Sequence, residues 1–146
     1  MRTNLSIEDL GDLLEQPIVC VLATYRADGS VMLSPVWFEW RDGGFHVWVG
    51  GATEGKARHV AADPRVRIVV HEQTLPYRGV EAWGSAVLSP DGFHDVVRRT
   101  AARYYGEDAA DAFAAAYEEP GLVIRLVPDG IRAWDFSDEA GAAEPG

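Results

Sequence analysis

The segment from residue 50 to residue 60 combines the groups that bind a phosphate. It reads Gly-Gly-Ala-Thr-Glu-Gly-Lys-Ala-Arg-His-Val and begins a predicted helix over 53–62. The Thr53 hydroxyl, the free N–H groups of the first turn and the cations of Lys56 and Arg58 would all favour an anion. The alternative is a capped surface helix with solvated cations, because the spacing matches neither a P-loop nor a dinucleotide fingerprint.

The other residue types that carry chemistry are isolated from one another along the chain. Four histidines lack the spacing of a metal site, so no metal is predicted: His46, His59, His71 and His94. Cys20 lies in an apolar run and is predicted to be a buried, unreactive thiol. No acid–base pair emerges, so catalysis by this sequence would depend on a cofactor.

Composition limits the possible partners. The chain has 146 residues, 23 acidic against 13 basic side chains, and a formal charge of -10. Such a charge repels nucleic-acid backbones, so neither nucleic acid nor a membrane surface is an expected partner. The length fits one domain, assigned to 1–136, followed by an acidic tail over 137–146 that is expected to be flexible. The sequence shows no signal-peptide pattern, and a cytoplasmic location is expected.

The elements that must position the phosphate-binding segment are mostly strands. Strands are predicted over 18–25, 31–40, 45–49, 66–71 and 80–88, and 122–136 is predicted to form a kinked strand or a small hairpin. Helices are predicted over 4–16, 53–62, 109–117 and from Ser89 onward, with Ser89 as cap and Pro90 in the first turn. Pro35 indicates an edge strand or a bulge. The order predicts a mainly β fold with α-helices, a six-stranded antiparallel barrel with helices packed outside it.

Four motifs occur in the order of one known superfamily. They are Leu33-Ser-Pro-Val-Trp-Phe38, Thr53-x-x-Lys-Ala-Arg58 with Asp63-Pro-Arg-Val66, Pro76-Tyr-Arg-Gly-Val-Glu-Ala-Trp-Gly84, and Arg132-Ala-Trp-Asp135. With them the chain resembles the flavin/deazaflavin split-barrel superfamily, the group around pyridoxamine 5′-phosphate oxidase and its F420-dependent relatives. The resemblance implies a split β-barrel and a homodimer that holds its cofactor at the subunit interface.

The resemblance also implies which residues contact the cofactor. The second strand would present its backbone to the isoalloxazine or deazaflavin ring, which places Pro35, Val36 and Trp37 beside it. Thr53 and Lys56 would bind the cofactor phosphate, with Arg58 as a helper. Trp83 or Trp134 would line the pocket, including from the second subunit, although tryptophans on strands also pack in cores and interfaces. Trp40 and Trp48 are predicted to be packing residues.

The implied function is an oxidoreductase that transfers hydride between F420 or FMN and a small conjugated organic substrate. Gly55 stands where flavin-binding relatives often carry arginine, which favours F420 over FMN, and Glu54 adds a negative charge nearby. An alternative is a non-catalytic flavin, deazaflavin or haem binding protein on the same barrel. A third hypothesis is a dimeric scaffold without a cofactor.

Overall fold

A computed structural model describes residues 1–139 of the chain. Its strands are β1 Cys20–Tyr25, β2 Val31–Val36, β3 Glu39–Arg41, β4 Gly44–Val49, β5 Arg65–His71, β6 Gly79–Ser85, β7 Val87–Ser89, β8 Leu122–Leu126 and β9 Gly130–Trp134. Its helices are α1 Gly55–Ala62, α2 Phe93–Tyr105 and α3 Glu107–Ala115, with 3₁₀ turns at Glu8–Leu10 and Leu13–Glu15. The Met1 amino group pairs with Asp138 and Glu139. The rest of the predicted tail, 140–146, lies outside the described residues.

The strands form two antiparallel sheets that share chain segments. One sheet has the order β2-β1-β5-β6-β9 and the other the order β3-β4-β8-β7. Three segments pass from one sheet to the other: β2 continues into β3 after Trp37 and Phe38, β6 into β7 after Ala86, and β8 into β9 across 127–129. Six chain segments therefore build a split barrel, which confirms the predicted α+β class.

The prediction of unbroken strands over 31–40 and 80–88 is wrong, because each segment bends to join the second sheet. Of the two alternatives for 122–136, the kinked strand is confirmed and the hairpin is wrong, since β8 and β9 lie in different sheets.

The main core lies between the two sheets. In β5 the side chains alternate, so that Val66, Ile68 and Val70 are buried while their neighbours face outward. Phe38 and Phe45 fill the space opposite them, and both are fully buried. Each such side chain contributes about 1.5–3 kcal/mol by leaving water. A smaller cluster joins α2 and α3 to the second sheet: Phe93, Val96, Val97, Ala114 and Val123.

The edge position of β2 agrees with its proline. β2 pairs only with β1, and Pro35 lies opposite Val21. Proline has no N–H to donate to a ladder, so an edge strand accommodates it. The tight turns also agree with prediction: Gly29 has φ +86°, and Asp42 and Gly43 have φ +52° and +74°.

None of the four predicted helices begins at its predicted residue. The segment 4–16 forms two 3₁₀ turns, although Ser6 and Asp9 exchange the two hydrogen bonds of a capping box, because Gly11 at φ +62° ends the first turn. α2 starts at Phe93, after Gly92 at φ +72°, and Ser89 instead accepts the N–H of Asp91. α3 starts at Glu107, directly after Gly106. None of the helices within residues 1–139 combines the length and apolar character that a membrane span requires.

Gly121 allows α3 to return to β8. A methyl group at this position would meet the Val49 carbonyl oxygen and lie 2.7 Å from Phe93. We therefore expect Gly121→Ala to lower the free energy of unfolding by about 2–3 kcal/mol, because the backbone of Val49 must move. Denaturant unfolding at fixed protein concentration measures this. Gly51→Ala is the matched control, since no atom lies within 4 Å of the added methyl; equal stability losses in both variants would contradict the packing argument.

Candidate functional site

A cavity of about 390 Å³ opens beside the end of β2, at the point where the chain leaves the first sheet. The start of α1 forms one end of it, and the α2–α3 helical hairpin forms the wall opposite β2. Its lining residues are Val19, Pro35, Val36, Trp37, Trp48, Val49, Glu54, Lys56, Tyr105 and Phe113. The cavity thus has a strand edge, an aromatic wall and one charged end.

Aromatic rings form the wall. The Trp37 ring stacks on Tyr104 at 4.9 Å with an interplanar angle of 9°, and meets Tyr105 edge-on at 5.0 Å. Phe113 lies 5.5 Å from Trp37, and Trp48 lies 6.3 Å from it in a T-shaped arrangement. Aromatic surfaces held at these distances suit a flat conjugated ring better than a flexible aliphatic ligand.

Hydrogen bonds behind the wall hold it in place. The Trp48 indole N–H donates to Thr100 Oγ1 at 3.1 Å, and Thr100 itself is fully buried. The Tyr104 hydroxyl donates to the Ile18 carbonyl oxygen at 2.7 Å, which ties α2 to the chain just before β1. Burial raises the pKa of Tyr104, so its phenol stays a neutral donor. The wall is therefore fixed before any ligand arrives.

The charged end combines a free cation with an uncapped helix. Lys56 forms no salt bridge with any residue between 1 and 139. No side chain caps the first turn of α1, whose N-cap residue is Glu54, so its first N–H groups remain available for an anion. The Glu54 carboxylate accepts the Gly50 N–H at 2.6 Å and also lines the cavity. It opposes an anion near Lys56.

Two residues of the predicted phosphate-binding set lie away from the cavity. Thr53 is exposed and does not cap α1, so its prediction as N-cap is wrong. The helix starts one residue later than predicted, which moves the Thr53 hydroxyl out of the capping position. Arg58 is also exposed. It follows Lys56 by two residues, about 200° around the helix, and therefore points to a different side.

The two tryptophans predicted to line the pocket lie on the outer face of the five-stranded sheet. Trp83 packs over Gly130, and Trp134 packs over Gly79 on the neighbouring strand. The guanidinium groups of Arg67 and Arg132 cover their rings at 4.7 Å and 4.6 Å. Neither ring lines the cavity of its own chain. A contact with the cofactor of a second subunit remains a prediction.

Sequence reasoning missed most of the aromatic wall. Trp48, predicted to be a packing residue, lines the cavity from the end of β4, and Tyr105 and Phe113 were not among the predicted site residues. Tyr105 is 64% exposed and lies at the end of α2, next to Gly106. Aromatic residues on both sides of a helix–glycine–helix turn are the local signal that marks this wall.

Three of the four histidines have structural partners among the described residues. His46 Nδ1 lies 3.1 Å from Glu39, His59 Nδ1 lies 3.0 Å from the Thr24 hydroxyl, and His94 Nε2 lies 2.7 Å from the Tyr117 carbonyl oxygen. Cys20 is buried, and burial raises the pKa of its thiol to about 12. Within residues 1–139, no cluster of three or more His, Cys, Asp and Glu side chains is arranged to hold a metal ion.

The sequence motifs, the two-sheet barrel and the cavity beside β2 agree with a single family match. The family model of pyridoxamine 5′-phosphate oxidase matches residues 7–135. The chain belongs to the pyridoxamine 5′-phosphate oxidase family. No curated protein matches the sequence at a significant level.

Solved structures of this family's fold cover nearly the whole chain. A conserved hypothetical protein from Mycobacterium tuberculosis has 24% identity and a TM-score of 0.79, covering 97% of this chain and 90% of that one. An F420 reductase has 27% identity and a TM-score of 0.67, covering 82% of this chain and 93% of its own. HutZ, a haem storage protein from Vibrio cholerae, has 19% identity and a TM-score of 0.65, covering 86% and 92%. The family's barrel is therefore found in proteins with different ligands.

Proposed function

We propose that the protein is an oxidoreductase that transfers hydride between F420 or FMN and a small conjugated organic substrate. The observation that carries the proposal is the cavity between the β2 edge and the aromatic wall, with Lys56 at one end. No metal cluster among the described residues offers an alternative centre for chemistry. The F420 reductase with 27% identity supports the same reaction class.

The cavity residues fit the parts of such a cofactor. Pro35, Val36 and Trp37 lie on a sheet edge, where backbone N–H and C=O groups lack a neighbouring strand and can meet the polar edge of a ring. Lys56 and the first turn of α1 provide positive potential for a phosphoryl tail. A bound deazaflavin or flavin would supply the hydride chemistry that none of these side chains can perform.

The chain's own part is to bind, orient and shield. Trp37 is held by its stacking on Tyr104, so its exposed face gives a fixed surface against which a substrate or a ring can lie. Tyr105 and Phe113 line the side opposite β2, so a ring bound against them would displace water there. Water exclusion strengthens the attraction between Lys56 and an anionic tail, because the local dielectric constant falls.

Position 55 favours F420 over FMN. Flavin-binding relatives often carry arginine there, and this chain has glycine. The nearest atom to an added methyl at Gly55 would be the end of Met32, at 3.9 Å, so a longer side chain has room to leave the helix. The fold therefore has room for a cationic side chain at position 55, but the sequence does not provide one. Among the described residues, Lys56 alone remains in the cavity to bind the phosphoryl tail.

A non-catalytic flavin, deazaflavin or haem binding protein is the second candidate function. The haem storage protein shares the barrel fold with this chain, and this likeness of fold is the support that it gives to the second candidate. Haem iron in proteins takes an axial His, Cys, Met or Tyr ligand. Among the described residues that line the cavity, none is His, Cys or Met, and Tyr105 alone has a suitable oxygen.

Separate titrations of the purified protein with F420 and with FMN test the proposal. Tight binding of F420, weaker binding of FMN and oxidation of the reduced cofactor by a small quinone or enone would support it. Binding without turnover across such acceptors would favour the non-catalytic candidate, and binding of neither cofactor would favour the scaffold. A titration with haem, followed by absorbance at the Soret band, tests haem binding separately from flavin and deazaflavin binding.

The expected homodimer forms through the outer face of β1 and β2. The side chains on this face are Val21, Ala23, Val31, Leu33 and Pro35, which are apolar, and Tyr25 opposite Val31. Leu33 is 66% exposed and Val31 is 45% exposed, and contiguous exposed apolar residues mark interaction surfaces. A second copy is the fitting occupant, because this face continues into the cavity through Pro35 and Val19. A partner subunit would complete the cavity rim.

We expect Leu33→Glu to halve the mass in solution, because a charge would be buried at the centre of this face. Light scattering coupled to size exclusion measures the mass. Val87→Glu is the matched control, since Val87 is 60% exposed in the other sheet. A wild-type protein that is strictly monomeric, or a dimer unaffected by Leu33→Glu, would contradict this interface.

A further inference from the structure

A second cleft, of about 380 Å³, lies between α2, β3 and the second 3₁₀ turn. It shares none of the lining residues of the cavity beside β2. Four of the chain's 13 basic side chains line it: Arg41, Arg98, Arg99 and Arg103. Four neighbouring arginines are unusual in a chain of formal charge -10. These cations would repel one another less if they were spread over the surface and each paired with a carboxylate.

Only one of the four arginines is fully paired. Arg99 makes two hydrogen bonds to the Glu39 carboxylate, at 2.9 and 2.8 Å. Arg41 approaches Glu39 only to 3.8 Å and is 50% exposed. Arg98 lies 3.9 Å from both Glu107 and Asp111, and it is 46% exposed. Contacts of this length in water contribute little, so both guanidinium groups remain available at the rim.

Arg103 adds a desolvated charge at the base of the cleft. Its guanidinium donates to the carbonyl oxygens of Gln16 and Phe38, and it lies 4.7 Å from the Phe38 ring. It forms no salt bridge with residues 1–139, and burial lowers its pKa. The carbonyl bonds use three of its five N–H groups. The remaining two can donate to a ligand that brings the missing negative charge.

We propose that this cleft binds a small organic oxyanion, a phosphate or carboxylate group carried on an apolar ring or chain. Arg98 and Arg41 would hold the oxygens at the rim, in the forked geometry that arginine offers to such groups. Leu14, Trp40 and Ala102 give the cleft an apolar side, so an aromatic anion binds more tightly than the inorganic ion. The site does not depend on the proposed cofactor site, with which it shares no residue.

Carboxylates at the rim of the cleft oppose the binding of an anion. Glu15 and Glu107 also line the cleft, and Glu107 lies nearest to Arg98. Glu107 is 82% exposed and holds no other side chain, so its removal does not disturb packing. Replacing it with an uncharged isostere removes a negative charge that repels an anionic ligand at the rim, while Asp111 stays 3.9 Å from Arg98. Loss of Arg98 and loss of Glu107 therefore change affinity in opposite directions.

Calorimetric titration of the full chain with phenyl phosphate tests the site. We expect Arg98→Ala to weaken binding about tenfold and Glu107→Gln to strengthen it about threefold. The exposed control Arg26→Ala leaves the affinity unchanged. A parallel titration with benzoate shows which oxyanion the cleft prefers. Binding of phenyl phosphate alone indicates a phosphate ester as the ligand, and binding of benzoate alone indicates a carboxylate.

Three results would overturn the proposal. The first is the absence of binding by both probes. The second is an equal loss in Arg98→Ala and Arg26→Ala, which would indicate unspecific attraction to positive charge. The third is a loss in Lys56→Ala with none in Arg98→Ala, which would place the probe in the cavity beside β2. If F420 does not bind to the protein, the proposal for the second cleft still stands, because the two proposals use different residues.

Discussion

Replacing Lys56 by alanine weakens F420 binding at least about tenfold, which corresponds to about 1.4 kcal/mol. Lys56 is the sole cation among the described residues that line the cavity beside β2, and its side chain has no salt bridge within that part of the chain. The variant therefore loses the attraction to a phosphoryl tail while the protein without cofactor keeps its stability. Fluorescence titration gives the dissociation constant, and thermal unfolding without cofactor gives the stability.

Arg58→Ala is the matched control for Lys56. It removes one positive charge from the same helix, two residues further on, where the side chain is exposed and does not line the cavity. We expect less than about a threefold change in affinity, because exposed charges at longer range are screened. An unchanged dissociation constant in Lys56→Ala, or equal losses in both variants, would show that Lys56 does not bind the cofactor directly.

Glu39→Gln destabilises the folded protein by about 3 kcal/mol at pH 7. Glu39 is 7% exposed and accepts hydrogen bonds from Arg99 and His46. His46 Nε2 accepts from Arg125 at 3.0 Å, so the ring donates to Glu39 through Nδ1. Burial opposes ionisation of Glu39, but the hydrogen bonds from Arg99 and His46 and the charge of Arg99 outweigh it, and the pKa of Glu39 is lowered from 4.5 to about 2.

The pH dependence of this stabilisation follows from that pKa. A carboxyl group with a lowered folded-state pKa stabilises the fold fully above its unfolded pKa, here 4.5, and loses this contribution as the pH falls through about 2. The stability difference between wild type and Glu39→Gln should therefore be constant from pH 7 to pH 5 and close to zero near pH 2. Denaturant unfolding at equal protein concentration measures both limits.

Glu118→Gln is the control for Glu39→Gln. Glu118 is exposed in the loop after α3, and its replacement should change the free energy of unfolding by less than about 0.5 kcal/mol. If Glu39→Gln were as stable as wild type at pH 7, the cluster of Glu39, Arg99 and His46 would add nothing to the fold. A stability gap that persists at pH 2 would assign the loss to packing instead of charge.

Local chemistry was enough to predict most of the strands. Asp28-Gly29 and Asp42-Gly43 adopt the backbone angles that tight turns need, and Pro35 marks the sheet edge beside which the cavity opens. The bends that split the barrel were not predictable, because nothing in Trp37 and Phe38 or in Ala86 distinguishes a bend from a continuing strand. Those bends depend on which strand lies beside each half, and this is a long-range property.

The site was predictable only where one short segment determines it. Pro35, Val36, Trp37 and Lys56 line the cavity, and their contact with a cofactor stays a prediction. Thr53 and Arg58 do not line it, because the start of α1 and the rotation of its side chains shift with a single residue. The aromatic wall joins β4, α2 and α3, and no sequence spacing brings Trp48, Tyr105 and Phe113 together. Trp83 and Trp134 were assigned without knowing which face of the sheet they occupy.

A crystal structure of the protein grown with F420 tests the central claim most directly. We expect the phosphoryl group within hydrogen-bonding distance of Lys56 Nζ and the first N–H groups of α1, and the tricyclic ring along Pro35, Val36 and Trp37. A cavity filled by side chains of the assembled protein, or F420 bound elsewhere with Lys56 in solvent, would contradict the account and leave only the family and its barrel.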